Sequence, residues 1–261
     1  MVYLLYFVCY YFVLVIILLQ YMYGYAPNPA IHGDTAWTPS RIRRKVEMLR
    51  LWLRLQSMDE GRLTEYIFKW DRSLNRNNWC SEVKCILQDI DQERIYNNNC
   101  IVSLNLVWAQ LYQQYVTSWG IELVNKPKLR TYVKCKSMYE TEHYISSDIP
   151  FKYRSILARL RCGILPLELE IGRYHGIPES ERVCKICKNG SIENEFHFLF
   201  QCAPYQNLRL AFFDNMQNKI EQFAAMDFDS KFKVMMDKSV VYDTSKYVYD
   251  IFMLRQSIIY K

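Results

Sequence analysis

Four residues in the last third of the chain have the types and spacing of a metal site. Cys184 and Cys187 are separated by two residues, and His197 and Cys202 follow at short intervals. Thiolate and imidazole are ligands that Zn²⁺ favours, and four of them close a tetrahedral shell with no open position for a substrate. The sequence therefore predicts a structural zinc site formed by Cys184, Cys187, His197 and Cys202.

Two other interpretations of these four residues remain open. The thiols can be buried side chains beside a core histidine, because a free cysteine packs as a small hydrophobe. A disulfide framework is less favoured, since the chain has nine cysteines and those outside the metal pattern lack regular spacing.

The segments next to these residues indicate how the chain positions them. In the turn after Cys187, Asn189 and Gly190 tolerate the positive φ that a tight metal-binding turn requires. A short helix is predicted around His197, with Glu193 and Glu195 in its first turn, where acidic side chains favour the helix dipole. The apolar residues of that helix fall on one face by helical spacing: Phe196, Leu199 and Phe200.

Further segments extend the pattern around the metal ligands. They are Arg159–Glu168, Glu170–Tyr174, Ile177–Pro178, Arg182–Cys184 and Glu195–Tyr205, with Gly33–Pro39 and Lys126–Tyr132 earlier in the chain. Together they resemble the zinc-binding region at the C-terminal end of non-LTR (LINE-type) retrotransposon reverse transcriptases. In those proteins the region is thought to help the polymerase hold RNA and target DNA. The resemblance implies an RNA or single-stranded DNA partner and maps the family's ligands onto the same four residues.

The enzyme parts of such a parent protein are absent from the sequence. There is no Ala-Asp-Asp type polymerase motif and no endonuclease-like set of carboxylates. We therefore expect a non-catalytic remnant of a reverse transcriptase rather than an enzyme.

Basic residues provide candidates for nucleic-acid contact, and the net charge of +6 is modest support for an anionic partner. Residues 126–136 contain five cations, no acid and Tyr132, so cations can neutralise phosphates while a ring stacks on a base. If this segment is extended, its first cations share a face with Tyr132. Arg173 and Arg182 flank the metal turn and can contact a phosphate or form salt bridges to Glu168, Glu170 or Glu179. The predicted nucleic-acid residues are Lys126, Lys128, Arg130, Tyr132, Arg159, Arg173 and Arg182.

The N-terminal residues 2–19 form an uninterrupted run of apolar and aromatic side chains. As a helix this run spans roughly 27 Å, close to the thickness of a bilayer core. The cations from Arg41 onward would remain cytoplasmic by the positive-inside rule, which keeps the thiols reduced. An alternative function is thus a single-pass, membrane-anchored interaction protein with a structural zinc site. If the leader is instead a sequence joined upstream, we expect a cytoplasmic or nuclear protein.

The predicted fold is mostly α, with a helical bundle followed by a small zinc-knuckle module and preceded by a hydrophobic helix. Its expected segments are a leader (1–25), a linker (26–39), a helical region (40–150), the zinc-binding module (151–210) and C-terminal helices (211–261). Within the helical region, apolar spacing predicts four helices, the last of which ends at Gly120. Their expected inward residues are Ile42, Val46, Leu49 and Leu53; Ile67, Trp70 and Leu74; Val83, Leu87 and Ile90; and Val107, Leu111, Tyr115 and Trp119. The hydrophobic fraction of 51% is ample for a packed core.

Overall fold

The computed structural model describes residues 26–74, 76–98 and 103–260, and these are mostly helical. The prediction of a mostly α fold is confirmed. Within the described ranges the only β pairing is an isolated antiparallel bridge between Val183 and Ile192. The chain divides into two compact units. We call Trp37–Ile121 the middle unit, and the described residues up to Ala36 together with those from Glu122 onward the metal-site unit.

The helices of the described chain follow in order. They are α1 (Asn28–Thr35), α2 (Ser40–Gln56), α3 (Leu63–Ser73), α4 (Trp79–Asp89), α5 (Glu93–Asn98), α6 (Leu104–Val124), α7 (Tyr132–Cys135), α8 (His143–Ser146), α9 (Phe151–Arg161), α10 (Glu168–Tyr174), α11 (Gln206–Lys219), α12 (Phe228–Met235) and α13 (Val241–Ile259). Short 3₁₀ turns lie at Pro127–Leu129, Glu179–Glu181, Ala203–Tyr205 and Phe223–Ala225, and a π-helical turn at His197–Gln201.

In the middle unit, α2 and α4 bury the faces that their helical spacing predicts. α2 packs against α3 and α4 through Ile42, Val46 and Leu49, as expected. The fourth buried residue is Trp52, whereas Leu53, which was expected there, is only partly buried. α4 begins with a capping box, in which Asn78 accepts a hydrogen bond from the Ser81 amide and Ser81 accepts one from the Asn78 amide. Its residues Val83 and Leu87 are buried as predicted.

The prediction for α6 is right about its buried face and wrong about its end. Val107, Leu111, Tyr115 and Trp119 are all buried. The helix was expected to stop at Gly120 but continues to Val124. A glycine within a helix costs only about 1 kcal/mol, so it does not end the helix unless the backbone turns left-handed there.

The prediction for α3 chose the wrong face. Ile67 and Trp70 were expected to point inward, but they are 52% and 58% exposed, whereas Phe68 is buried. The covered face carries Phe68 and Glu65, so the more apolar face of α3 is the exposed one. The exposed stripe consists of Leu63, Tyr66, Ile67 and Trp70.

The segment interpreted as a linker contains α1. Its prolines stand where a helix accepts them, because Pro27 is the N-cap residue and Pro29 lies in the first turn. Ala30 and Asp34 of α1 are fully buried. Residues 26–36 are therefore part of the core of the metal-site unit rather than a spacer.

In the metal-site unit, α13 packs along α9 and α11. The Phe212 ring of α11 stacks on the Tyr247 ring of α13 with centroids 4.2 Å apart. The Tyr247 hydroxyl donates a hydrogen bond of 2.6 Å to the Leu199 carbonyl oxygen in the π turn. The C-terminal helices thus form the support on which the turn containing His197 rests.

The membrane prediction concerns residues 2–19, which lie outside the described residues. Among the helices that are described, none has both the length and the apolar character needed to cross a bilayer.

Candidate metal centre

The four residues of the predicted metal site converge in the structure. Their ligand atoms all lie within 4.8 Å of one another. The Cys184 and Cys202 sulfurs are 3.9 Å apart, and the Cys187 sulfur is 3.4 Å from His197 Nε2. Cys184, His197 and Cys202 are almost completely buried, and Cys187 is partly exposed. The cluster could therefore hold a metal ion.

The first pair of cysteines lies on a tight hairpin-like turn. The Cys184 amide donates to the Ser191 carbonyl oxygen at 2.8 Å, which closes the turn. Positive φ occurs at Lys188 and Gly190, so the expectation is right for Gly190 and wrong for Asn189. The Asn189 side chain instead accepts hydrogen bonds from the Cys187 sulfur and the Ser191 amide, each at 3.0 Å.

The second pair of ligands is positioned by the π turn. The Cys202 amide donates to the His197 carbonyl oxygen across five residues at 2.9 Å, and this wider turn brings both side chains to the same centre. Asn194 caps the turn by accepting a hydrogen bond from the His197 amide at 2.8 Å. Glu193 precedes the helical turn instead of lying in it, and its amide donates to the Arg182 carbonyl oxygen at 3.0 Å.

The pKa values of the two buried thiols, Cys184 and Cys202, are shifted in opposite directions. A hydrogen bond from Cys202 lowers the pKa of the Cys184 thiol to about 3, with help from His197 and from the backbone amides of Cys187 and Ile186. The contact with Cys184, together with burial, raises the pKa of Cys202. The contact between the two sulfurs thus favours a thiolate, the form of cysteine that binds metals, at Cys184 and a thiol at Cys202.

A buried ion pair beside the metal centre was not predicted from the sequence. Glu193 lies between the two ligand pairs and accepts two hydrogen bonds from Arg255 of α13, at 2.8 Å and 2.7 Å. Glu193 Oε1 also lies 3.8 Å from the Cys184 sulfur. Beside this pair, Glu168 forms an ion pair with Lys185 at 2.9 Å. The only sequence signal was Arg255, a cation that directly follows the apolar run of residues 251–254.

A second buried polar centre lies around Asp34, and we call it the Asp34 centre. Asp34 accepts hydrogen bonds from the hydroxyls of Tyr132, at 2.8 Å, and Tyr144. Arg161 reaches Asp34 at 3.2 Å and Glu142 at 3.1 Å, and Lys136 reaches Glu142 at 2.7 Å. Burial raises the pKa of both tyrosines, and the charge of Asp34 adds to the effect. The tyrosines therefore stay protonated and act as donors.

The structure corrects the prediction that Tyr132 is a stacking platform. Its side chain is completely buried, with its hydroxyl bound in the Asp34 centre. Residues 127–135 form a 3₁₀ turn and α7 rather than an extended segment, so the proposed shared face does not exist. Tyr132 therefore belongs to the core of the metal-site unit.

Most of the predicted cations make contacts within the protein. Lys126 pairs with Glu122 at 3.3 Å, and Arg130 pairs with the buried Glu195 at 2.6 Å. Burial raises the pKa of Glu195, and the cation of Arg130 opposes that rise. Arg159 is half-buried, with its guanidinium 5.9 Å from the centre of the Phe252 ring.

Arg182 donates hydrogen bonds to backbone carbonyl oxygens rather than to a carboxylate. It donates to the Ile177 carbonyl oxygen at 2.9 Å and 2.7 Å and to the Leu169 carbonyl oxygen at 3.1 Å. Gly172 allows this approach, because a Cβ there would lie 2.6 Å from the Arg182 side chain. Arg182 thus ties α10 to the segment that enters the metal turn.

Lys128 and Arg173 come together around Tyr174, which the sequence had not singled out for binding. Tyr174 is 61% exposed. The Arg173 guanidinium lies 4.6 Å and the Lys128 amine 5.9 Å from the centre of its ring. Both cations also contact Glu170, at 2.7 Å and 3.2 Å, and they lower the pKa of that carboxyl although its burial opposes the shift. We call Lys128, Arg173 and Tyr174 the Tyr174 patch.

Comparison of the chain with protein-family models, with curated proteins and with solved structures found no match in any of the three.

Proposed function

We propose that the Cys/His cluster holds a structural Zn²⁺ ion. In a tetrahedral shell with Zn–S bonds of about 2.3 Å and Zn–N bonds of about 2.0–2.1 Å, two sulfurs lie about 3.8 Å apart and a sulfur and a nitrogen about 3.6 Å apart. The Cys184–Cys202 separation of 3.9 Å and the Cys187–His197 separation of 3.4 Å are close to these values, and all four ligand atoms lie within 4.8 Å of one another. Three thiols and one imidazole also match the ligands that zinc selects, and they leave no place for a substrate.

The zinc assignment is tested by metal analysis of the purified full chain. We expect about one zinc per chain and substantial loss of that zinc in the Cys184→Ser variant. Cys85→Ser is the matched control, because this exposed thiol lies outside the cluster. A wild-type protein without bound zinc after purification with zinc present contradicts the assignment.

We further propose that this chain is a non-catalytic nucleic-acid-binding protein, a remnant of a non-LTR retrotransposon reverse transcriptase. The observation that supports it is the Tyr174 patch, an exposed ring with two cations within 6 Å of its centre. Cations beside an exposed ring suit a single strand of RNA or DNA, because the phosphates meet the cations while a base stacks on the ring. The zinc ion would stabilise the unit that presents this patch.

The binding function is tested by fluorescence anisotropy of the zinc-loaded full chain with labelled single-stranded RNA and DNA. We expect binding that weakens linearly with the logarithm of salt concentration, because bound phosphates release counterions. Tyr174→Ala should weaken binding by about 1–3 kcal/mol, the usual contribution of one stacked base.

Tyr66→Ala is the matched control for that experiment, since Tyr66 is also 61% exposed but lies on α3 of the middle unit. If Tyr174→Ala binds as tightly as the wild type and only Tyr66→Ala binds more weakly, the Tyr174 patch is not part of the binding surface. Absence of binding at low salt would refute the function itself.

A second candidate function is a membrane-anchored interaction protein. It is supported by the apolar run of residues 2–19 and by the exposed stripe on α3, whose residues recur at i, i+3, i+4 and i+7. Extraction of membranes with alkaline carbonate separates the candidates, because an embedded span stays in the pellet. Complete release of the full chain into the supernatant argues against anchoring.

A further inference from the structure

A cleft lies beside the metal centre, against the π turn and α12. Its volume is about 230 Å³. Phenylalanine rings form much of its wall, and the Phe228 ring centre lies 4.3 Å from that of Phe196 and 5.5 Å from that of Phe200. Phe228 is 44% exposed. The cleft therefore offers an accessible aromatic face supported by a packed group of rings.

Polar groups with unused hydrogen-bonding capacity also line this cleft. Thr131 is nearly buried, and its hydroxyl has no hydrogen-bond partner among the described residues. Glu195 receives one hydrogen bond from Arg130 at 2.6 Å, whereas a carboxylate offers about four acceptor positions. A ligand that brings donors and acceptors on its edge would satisfy these groups.

The size and charge of the cleft limit the ligand. Drug-sized ligands occupy pockets of about 300–1,000 Å³, so a cleft of about 230 Å³ suits a single ring system. Its carboxylates, Glu179, Glu195 and Asp229, outnumber its cations, Arg130 and Lys134. A phosphate is therefore disfavoured inside, and an uncharged aromatic ring with polar edges is favoured. A phenylalanine side chain from a peptide would leave the hydroxyl and the carboxylate without new partners.

We propose that the cleft accepts one unstacked nucleobase of a single strand and prefers cytosine to uracil. The ring stacks on Phe228, and the exocyclic amino group of cytosine donates to a carboxylate of the cleft, a pairing that glutamate and aspartate make with this base. Uracil presents a carbonyl oxygen at the same position and is repelled there. This inference rests on the proposed nucleic-acid function and adds a base preference to it.

The test compares labelled oligocytidylate and oligouridylate of equal length, bound to the zinc-loaded full chain at one salt concentration. We expect oligocytidylate to bind about fivefold more tightly or better, the range for one hydrogen-bonded base contact. Phe228→Ala should weaken oligocytidylate binding by a similar factor, because it removes the stacking ring. Phe151→Ala is the matched control, since Phe151 is 47% exposed and does not line the cleft.

Thr131→Val gives a second readout that keeps the shape of the wall. It should weaken binding of both strands without changing the dependence on salt, because a hydroxyl can donate to or accept from either base. Equal binding of the two strands, or a Phe228→Ala effect no larger than that of Phe151→Ala, overturns the cleft inference. If Tyr174→Ala still weakens both strands, the proposed function stands without the cleft. If neither strand binds the wild type at low salt, the function and the cleft inference fail together.

Discussion

The metal-site unit contains two buried polar centres that differ in what balances their charges. In the Asp34 centre, the carboxylates of Asp34 and Glu142 are matched by the cations of Arg161 and Lys136. In the Cys/His centre the ligand atoms contact one another, and the neighbouring cation, Arg255, is engaged by Glu193. The charges of the first centre are therefore balanced within the protein, whereas the second has the arrangement of donor atoms that could hold a metal ion.

The balance of charges distinguishes a buried polar cluster that only stabilises the fold from a cluster that can bind a ligand. A buried acid such as Asp34 could be mistaken for a functional group, but a protein cation and two tyrosine hydroxyls already satisfy it. Burial of an ionisable residue is thus a weak sign of function. Convergence of several donor atoms on a common point is a stronger one, and only the Cys/His cluster shows it among the described residues.

Metal removal should produce the largest contrast between the two centres. Structural zinc contributes on the order of 10–16 kcal/mol in small zinc-binding peptides, so a strong chelator or Cys202→Ser should unfold the surroundings of the cluster. Circular dichroism measures the loss of helix. All six tryptophans lie between Trp37 and Trp119, so their fluorescence reports the middle unit separately. Unchanged helix content after complete zinc removal would mean that the Cys/His centre, like the Asp34 centre, keeps its structure without a metal ion.

Removing the buried arginine of each centre should cost a similar free energy of unfolding but affect zinc differently. Arg255→Met and Arg161→Met should each lower stability by about 3–5 kcal/mol, because each leaves a buried carboxylate uncompensated. Only Arg255→Met should also weaken zinc affinity, by about 10–100-fold, since Glu193 lies next to Cys184. Chemical denaturation and competition with a zinc indicator measure the two quantities.

Lys185→Met is the control for Arg255→Met. Lys185 pairs with Glu168, but its side chain is 68% exposed, and exposed ion pairs contribute only about 0–1 kcal/mol. A loss of zinc affinity in Arg161→Met as large as in Arg255→Met would show that the two centres are coupled.

Tyr144→Phe should destabilise the Asp34 centre by a smaller amount. The Tyr144 hydroxyl donates to the Asp34 carboxylate, and a hydrogen bond to a charged group contributes about 1.5–3 kcal/mol. Denaturant titration should show this loss with an unchanged zinc content. Lower zinc content in the purified variant would contradict the separation of the two centres.

The smallest expected effect is at Tyr247, which anchors the π turn of the metal centre. Tyr247→Phe removes a hydrogen bond to the uncharged Leu199 carbonyl oxygen and keeps the ring on Phe212. A neutral hydrogen bond contributes about 0.5–1.5 kcal/mol. Tyr247→Phe should therefore be less destabilising than Tyr144→Phe in the same titration, and the reverse order would mean that the π turn depends on this single contact.

Sequence spacing was reliable where the interactions are local. The four residues of the Cys/His cluster lie within one short segment whose turns bring them together, and the buried stripes of α2, α4 and α6 follow helical periodicity. It failed at α3, where packing with other helices covers the face of Glu65 and Phe68 and leaves the more apolar face exposed. It also failed at α1, where prolines compatible with a first helical turn were interpreted as a linker.

The sequence alone determined the membership of the Cys/His cluster and the helical character, because both depend on residues close together in the chain. Tertiary structure alone decided the partners across long separations: Arg161 meets Asp34 over 127 residues, and Arg255 meets Glu193 over 62. It also decided that Tyr132 is buried and Tyr174 exposed. The physical reason is that exposure and ion pairing depend on which elements pack together. A local pattern of residue types does not determine that packing.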